Sequence, residues 1–329
     1  MSTGSVPVIA GNTLLLDELR QMKQKQHLPH ALLLHGERGC GKKLIARWYT
    51  MLALCEDSGP AAPCGRCKSC RLLMNDAHPD VTYAEHSGKR GGFSVETARR
   101  IRSEAAILPN NGSLRVFLFT DADGMTVQAQ NALLKSVEEP LPHACFVFTA
   151  ETAGVLLPTL LSRMTAKAVF PVTEEECASA LTRLEYSPSE AQRAVSRFSG
   201  NIGRCIAYLS DSAMQQSAEY ASALTAALAK QDEYELLRLL TAAAADKDIL
   251  RKTLAMLDMQ LRDAAVLSVR GEFGQLGCDR ESALQLASRL TPTRTAAMHS
   301  AVTEALADLD GNVGGPLAAS ALCAALSEA

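Results

Sequence analysis

The sequence predicts an α/β fold followed by an all-α part, and three observations lead to this prediction. A glycine-rich loop, Gly36-Glu37-Arg38-Gly39-Cys40-Gly41-Lys42-Lys43, stands between an apolar run and a helix-like segment. Apolar runs and helical periods alternate as far as about Phe170, which is typical of a parallel sheet covered by helices. From about Ser212 the chain is rich in Ala and Leu, which favours a helical bundle.

Strand and helix candidates alternate through the first part of the chain. Four apolar runs are predicted to be strands: Ala31–His35, Val81–Ala84, Val116–Thr120 and Cys145–Thr149. Segments with a helical period are predicted to be helices: Thr13–Gln26, Lys43–Leu54, Val95–Ala106 and Ala129–Val137. The apolar stripe of Ala132, Leu133, Leu134 and Val137 is expected to pack against the sheet.

Helix-start signals follow Pro171. Thr173-Glu174-Glu175-Glu176 places acidic residues in a first helical turn, and Ser187-Pro188-Ser189-Glu190 opens a second helix. Gly200-Asn201-Ile202-Gly203 breaks the pattern and opens a third helix. We therefore predict three domains, at 1–170, 171–211 and 212–329.

Composition excludes some function classes. The 329 residues include 21% charged residues with a formal net charge of −3, so no strong basic field indicates nucleic-acid binding. No apolar run reaches the ~18 residues of a membrane span, and residues 1–10 lack the pattern of a secretory signal. The expected location is cytoplasmic, without a membrane partner.

Four of the ten cysteines are clustered. Cys55, Cys64, Cys67 and Cys70 follow C-x8-C-x2-C-x2-C, and two-residue gaps let neighbouring thiolates converge on one tetrahedral metal. Four thiolates would close the coordination shell, so we expect a structural zinc module at 55–70 and no catalytic zinc. The alternative is four incidental thiols or disulfides. The scattered cysteines are expected in the core or in loops: Cys40, Cys145, Cys177, Cys205, Cys278 and Cys323.

The glycine-rich loop has the composition of a phosphate-binding loop (P-loop), with one departure. Gly36, Gly39 and Gly41 allow backbone N–H groups to turn toward phosphate oxygens, and Lys42 can reach the terminal phosphates. The next position normally carries Ser or Thr, whose hydroxyl holds Mg²⁺. Here it is Lys43, a cation without a lone pair.

A second departure follows the strand candidate at 116–119. In a P-loop ATPase one carboxylate there supports Mg²⁺ and the next residue orients the attacking water. Thr120 takes the first place and Asp121 takes the second. We therefore predict that the Mg²⁺ site is lost. Nucleotide binding stays open, because the glycines and Lys42 could still hold phosphates and Lys43 could partly substitute for the cation.

Four motifs in this order resemble a known family. They are Leu28-Pro29-His30-Ala31-Leu32-Leu33-Leu34-His35-Gly36, the four-cysteine module, Gln130-Asn131-Ala132-Leu133-Leu134-Lys135-Ser136-Val137-Glu138-Glu139-Pro140, and Leu157-Pro158-Thr159-Leu160-Leu161-Ser162-Arg163-Met164. From about Val8 to Phe170 the chain resembles bacterial sliding-clamp loaders of the AAA+ class. The resemblance implies an AAA+ P-loop domain with an inserted zinc module at 1–170, a helical lid at 171–211 and a helical collar for oligomerisation at 212–329.

Within this family, the pattern is similar to the delta-prime class of DNA polymerase III subunits. That class has lost hydrolysis but keeps a Ser-Arg-Cys motif whose arginine reaches the ATP site of the adjacent motor subunit. The resemblance assigns this arginine finger to Arg163, with Met164 in place of the cysteine. It implies a stator without ATPase or polymerase activity of its own, as part of the polymerase holoenzyme.

The implied partners are the gamma/tau motor subunits and the delta subunit, with the sliding clamp and primed DNA reached through the complex. Two alternatives stand beside this reading. One is an ATP-hydrolysing gamma/tau-like motor, and the other is a zinc-module nucleic-acid-binding protein with a relic P-loop. Without the family context, Arg163 would be an ordinary surface arginine paired with an acid.

Overall fold

The computed structural model describes residues 5–87, 92–270, 277, 280–311 and 313–328. The chain divides into two compact units, Met1–Phe170 and Pro171–Ala329. The first unit contains a sheet with helices, and the described part of the second unit consists of helices and their connections. The predicted class, α/β followed by all-α, is confirmed. The division of the second unit into 171–211 and 212–329 stays a prediction.

The first unit is built on a five-stranded parallel sheet with the order β2-β3-β4-β1-β5. The strands are β1 (Ala31–His35), β2 (Val81–Tyr83), β3 (Arg115–Phe119), β4 (Ala144–Ala150) and β5 (Thr165–Ala168). The four predicted strands are confirmed. Strand β5 was not predicted, because its Thr-Ala-Lys-Ala sequence at the sheet edge is only partly buried and lacks an apolar run.

Six α-helices in the described residues accompany this sheet: α1 (Thr13–Gln24), α2 (Lys42–Leu54), α3 (Lys68–Met74), α4 (Val95–Ala105), α5 (Val127–Glu138) and α6 (Pro158–Leu161). The four predicted helices are confirmed with small shifts at their ends. Helix α5 begins at Val127 because the Thr126 hydroxyl accepts a hydrogen bond from the Ala129 N–H at 3.2 Å.

Two hydrophobic layers fill the faces of the sheet. On one face, Phe119 and Phe148 stack with ring centroids 4.6 Å apart. On the other face, the fully buried Leu32 and Leu34 share a cluster with Trp48 of α2. Trp48 is 3% exposed and belongs to the core.

The parallel arrangement gives the sheet two chemically distinct edges. All strands end at the carboxyl edge, where β1 leads into the P-loop, and all begin at the opposite, amino edge. Helix α2 starts at the carboxyl edge of the sheet and runs back toward the amino edge. Tyr49 and Ala53 of α2 line a cleft with Pro29, Leu114 and Ala144, which lie at the amino ends of β1, β3 and β4.

The second unit contains nine described helices: α7 (Glu174–Arg183), α8 (Pro188–Phe198), α9 (Ile202–Ser210), α10 (Ser212–Lys230), α11 (Glu233–Ala243), α12 (Lys247–Arg270), α13 (Arg280–Arg289), α14 (Pro292–Asp310) and α15 (Gly315–Glu328). The predicted starts are confirmed by capping boxes at Thr173 and Ser187 and by the Asn201 cap. No helix in the described part of the chain has the length and apolarity to cross a membrane.

Five of the six scattered cysteines are buried, as expected: Cys40, Cys145, Cys177, Cys205 and Cys323. Cys278 lies outside the described residues. In α12, four leucines recur at helical spacing and form the core of the second unit: Leu250, Leu254, Leu257 and Leu261. The Leu-rich pattern that predicted a bundle therefore reflects buried helix faces.

Candidate functional site

The P-loop begins at a close approach of backbone segments. The Gly36 N–H donates to the carbonyls of Ala150 and Glu151, at 3.2 and 3.1 Å. A Cβ atom at Gly36 would lie 2.1 Å from the Val169 carbonyl oxygen, so a larger residue cannot fit without moving backbone. The start of the loop is therefore fixed between the ends of β4 and β5.

The end of the loop is open. Gly41 has a φ of +95°, which favours glycine, yet a Cβ atom there would meet nothing within 4 Å. Gly39 also has a positive φ, of 92°. Because the first N–H groups of α2 have no partner within the helix, this open face presents backbone donors to the solvent.

Lys42 is a buried cation in the loop. Its side chain is 6% exposed, and its ammonium donates to the carbonyls of Gly36 and Glu37 at 2.7 and 2.9 Å. No carboxylate pairs with Lys42 among the residues that the structure describes. A buried charge without a counter-ion is unfavourable, so the position is suited to an anionic ligand.

Lys43 forms an ion pair with Asp121, and both side chains are about half exposed. Asp121 follows β3 directly after Thr120, and its backbone N–H donates to the Thr149 hydroxyl at 2.9 Å. The structure thus brings two predicted site residues, distant in sequence, into direct contact. An ammonium occupies the side of the loop where the motif normally holds a metal.

The donor set does not fit Mg²⁺. That ion requires oxygen ligands in near-octahedral geometry, whereas Lys43 offers only N–H donors and a positive charge. Thr120 lacks the carboxylate that a P-loop ATPase uses. The chemistry of these side chains supports a lost metal site, which stays a prediction.

The four clustered cysteines converge. The Sγ atoms of Cys55, Cys64, Cys67 and Cys70 all lie within 4.8 Å of one another. Tetrahedral Zn–S bonds of ~2.3 Å would place the sulfurs roughly 3.8 Å apart, so small adjustments suffice. The cluster can bind a metal such as zinc, and the presence of four thiols leaves no ligand position for water or substrate.

Backbone N–H groups support this cluster. Cys64, Cys67 and Cys70 each donate to the sulfur of the preceding cluster cysteine at 3.4 Å. Burial acts to raise the pKa of Cys64, but N–H donors of Arg66 and Cys67 and the neighbouring thiols lower it to about 6. Burial raises the pKa of Cys55 and of Cys70. A metal ion would favour the thiolate at all four positions.

Helix α1 fixes the cysteine module to the rest of the unit. The Arg20 guanidinium lies 5.1 Å from the Trp48 ring centroid and donates to the Ala62 carbonyl at 3.3 Å. Lys23 donates to the Ala53 carbonyl at 3.0 Å, two residues before Cys55, and burial lowers the pKa of Lys23. Because Cys55 caps the carboxyl end of α2, the cluster lies at the amino-edge end of that helix.

Arg163 lies between α6 and β5, before the first residue of the strand. Its guanidinium donates to the Thr159 carbonyl at 2.8 Å, the Ser162 hydroxyl at 3.3 Å and the Glu138 carboxylate at 2.7 Å. The Arg163 side chain is 37% exposed, while Met164 packs against the phenylalanine side of the core. The motif therefore packs Met164 against the core and leaves the Arg163 side chain at the surface.

Strand register separates Arg163 from the P-loop of the same chain. Thr165 pairs with Leu32 and Ala168 pairs with His35, the residue before the loop. Arg163 thus lies at the amino edge, about six residues or roughly 20 Å from Gly36 at ~3.3 Å per residue. These two groups cannot act on the same phosphate.

Sequence reasoning missed two contacts in these sites. It did not find Glu138 as the partner of Arg163, or Thr149 as the residue that holds Asp121. Glu138 belongs to the motif from Gln130 to Pro140, but nothing in the sequence links it to Arg163, 25 residues away.

Comparison with known proteins agrees with this geometry. The family model described as DNA polymerase III, delta subunit, matches residues 11–172. The chain is 34% identical over 139 residues to DNA polymerase III subunit delta' of Pseudomonas aeruginosa, covering 42% of each chain. It is 38% identical over 135 residues to subunit gamma/tau of Mycobacterium tuberculosis, covering 41% of this chain and 23% of that one. The chain thus spans less than half the length of these relatives.

Among solved structures, a DNA polymerase III gamma subunit-related protein from Thermotoga maritima is similar, with 16% identity and a TM-score of 0.40. The match covers 95% of this chain and 98% of that chain, and at this score it adds no argument about function. The family match covers the part of the chain that carries the P-loop, the cysteine cluster and Arg163. Residues 11–172, just under half of the chain, thus match the family model described as DNA polymerase III, delta subunit, and DNA polymerase III delta' proteins are among the relatives of the chain.

Proposed function

We propose that this chain is the delta-prime-type stator of a cytoplasmic DNA polymerase III clamp loader. It joins gamma/tau motor subunits and a delta subunit in a ring, and it helps to place the sliding clamp on primed DNA. It does not hydrolyse ATP itself, and it supplies Arg163 to the ATP site of the adjacent motor subunit. The cysteine module holds one structural zinc ion at Cys55, Cys64, Cys67 and Cys70.

The position of Arg163 is the observation that supports this role. The guanidinium is at the surface of the amino edge, while the P-loop of the same chain opens at the carboxyl edge. An arginine at this distance from its own nucleotide loop can reach only the nucleotide of another chain. A guanidinium is suited to the task, since it is planar, always charged and able to form two parallel hydrogen bonds to a phosphoryl group.

The surroundings of Arg163 also suit a finger. Thr159 and Ser162 hold one side of the guanidinium, and the Glu138 carboxylate holds the other. The Glu138 side chain is 51% exposed, so water competes for this pair and the pair is weak. Arg163 can therefore exchange the carboxylate for the phosphoryl oxygens of a neighbouring chain while the contact with Thr159 keeps its direction.

A gamma/tau-like motor is the second candidate, favoured by the 38% identity to a gamma/tau subunit. A motor needs a hydroxyl and a carboxylate on Mg²⁺. Lys43 and Thr120 stand at those positions, and Lys43 is engaged by Asp121. These residues favour the stator over the motor.

The test is the DNA- and clamp-stimulated ATPase of a reconstituted loader with Arg163→Ala in this chain. We expect normal assembly in gel filtration, slower hydrolysis by an unmutated motor subunit, and a larger loss of clamp loading. The matched control is Arg100→Ala, which removes another exposed, acid-paired arginine of the same unit, outside the cysteine module. An intact complex with unchanged ATPase and clamp loading would show that Arg163 is an ordinary surface residue.

A further inference from the structure

The cysteine module gains negative charge when its thiols bind a metal. Four thiolates outweigh the two positive charges of Zn²⁺, so the loaded module is a dianion. Cys55 and Cys70 are only 4% and 0% exposed, and water therefore solvates this charge poorly. A buried charge without a counter-ion is unfavourable. The loaded module thus needs positive charge from the surrounding chain.

Lys23 of α1 places an ammonium beside the module. Its Nζ donates to the carbonyl of Ala53 at 3.0 Å, two residues before Cys55. Lys23 and Cys55 also line one cavity of about 340 Å³. Burial lowers the pKa of Lys23, and negative charge on three of the cluster thiols acts in the opposite direction: Cys55, Cys67 and Cys70. The ammonium is therefore close enough to these sulfurs to interact with their charge.

The absence of an acidic partner distinguishes Lys23 from the other cations near the module. Arg20 and Arg66 each form an ion pair with an aspartate. Lys68 and Arg71 are exposed to solvent. Lys23 is partly buried, and it forms no ion pair with a carboxylate in the described part of the chain. Its partly desolvated charge is balanced when negative charge develops on the thiols.

We propose that Lys23 is the counter-ion of the metal-loaded cysteine module and helps the module to retain its metal. This role of Lys23 rests on the zinc proposed for the module and does not depend on Arg163 or on the stator role. With thiolates present, the ammonium is attracted to them. With protonated thiols and no metal, the same ammonium has only the Ala53 carbonyl. The contribution of its charge to stability therefore depends on the metal.

The test replaces Lys23 with Met in the full chain, which keeps a long side chain and removes the charge. Competition with a chromophoric chelator measures zinc affinity, and we expect this affinity to fall ~10-fold, as for other residues that support metal ligands. Thermal unfolding is followed with bound zinc and after its removal by EDTA. The hydrogen bond to Ala53 is lost in both forms, so the Tm falls further in the zinc-loaded form, where the charge also matters.

Two further variants separate charge from packing. Lys23→Arg keeps a positive charge at the same place and recovers most of the zinc affinity. Lys25→Met is the matched control, because it removes an exposed charge just after the end of α1, and it leaves the zinc affinity unchanged. Wild-type zinc affinity in Lys23→Met, or an equal loss of Tm with and without zinc, would overturn the proposal. A wild-type chain that binds no zinc would refute the module itself, together with this role of Lys23.

Discussion

The two edges of the sheet carry the same kind of interaction, an ion pair between a basic and an acidic side chain, with a different cation at each edge. At the carboxyl edge Lys43 pairs with Asp121, and at the amino edge Arg163 pairs with Glu138. All four side chains are between 37% and 53% exposed, so each pair contributes only ~0–1 kcal/mol to stability. Neither pair is needed to hold the fold, and their value lies in where they place a positive charge.

The chemistry of the two cations explains the difference. A lysine ammonium is a compact point charge, and Lys43 holds it at the motif position that normally carries a metal-binding hydroxyl. An arginine guanidinium can keep one partner, here the Thr159 carbonyl, while it exchanges another. The lysine pair thus places a charge beside the loop of its own chain, whereas the arginine pair is suited to reaching a ligand of a neighbour.

The largest expected effect concerns the cysteine module, which lies at the amino-edge end of α2. We expect one zinc per wild-type chain and less than half an equivalent in Cys70→Ser, with a lower Tm, because structural zinc contributes ~10–16 kcal/mol in zinc-finger peptides. Metal analysis and thermal unfolding measure both. Cys323→Ser, a buried cysteine outside the cluster, retains its zinc. A wild-type chain below half an equivalent, with four titratable thiols there, would contradict the module.

Arg163→Lys tests whether the role proposed for Arg163 requires a planar guanidinium or only a positive charge. Fingers contribute ~10³–10⁵ in rate at the site they serve, and we expect Lys to recover little of this because an ammonium cannot form the bidentate contact. The readout is the DNA- and clamp-stimulated ATPase of the complex, beside Arg163→Ala. The bulk rate falls less than the rate of the affected site, since the other sites keep their fingers. Full activity with Lys would refute the bidentate role.

Glu138→Gln tests the ion pair between Glu138 and Arg163, which holds the arginine side chain in the free chain. The amide keeps an acceptor for Arg163 but loses the charge, so we expect the ATPase of the complex to fall by less than ~5-fold, the equivalent of about 1 kcal/mol. Complex assembly, followed by gel filtration, stays normal. A loss as large as that of Arg163→Ala would instead make Glu138 part of the neighbouring site.

The smallest expected effect is at the carboxyl edge. We expect no appreciable ATP hydrolysis by the isolated chain with Mg²⁺, and we expect Lys43→Thr to leave this unchanged because Thr120 still lacks a carboxylate. The measurement is phosphate release by the purified chain. Magnesium-dependent turnover in the wild type that Lys42→Ala abolishes would identify a motor and remove the contrast between the two edges.

Local patterns determined most of the fold and the identity of the candidate sites. Apolar runs of β1, β3 and β4 predicted their strands because both faces of these strands are buried. Spacing alone predicted that the four cysteines would converge, since two-residue gaps leave few other geometries. The cap residues Thr173 and Ser187 fixed helix starts through hydrogen bonds within four residues.

Only the tertiary structure decided the features that depend on contacts between residues far apart in the sequence. The edge strand β5 exists because it pairs with β1, and its short, partly polar sequence has too little apolar pattern to predict it. The partnership of Lys43 with Asp121 and that of Arg163 with Glu138 arise where separate elements meet at one edge. The separation of Arg163 from Gly36 follows from parallel register, because strand direction and pairing are long-range properties that no local sequence pattern encodes.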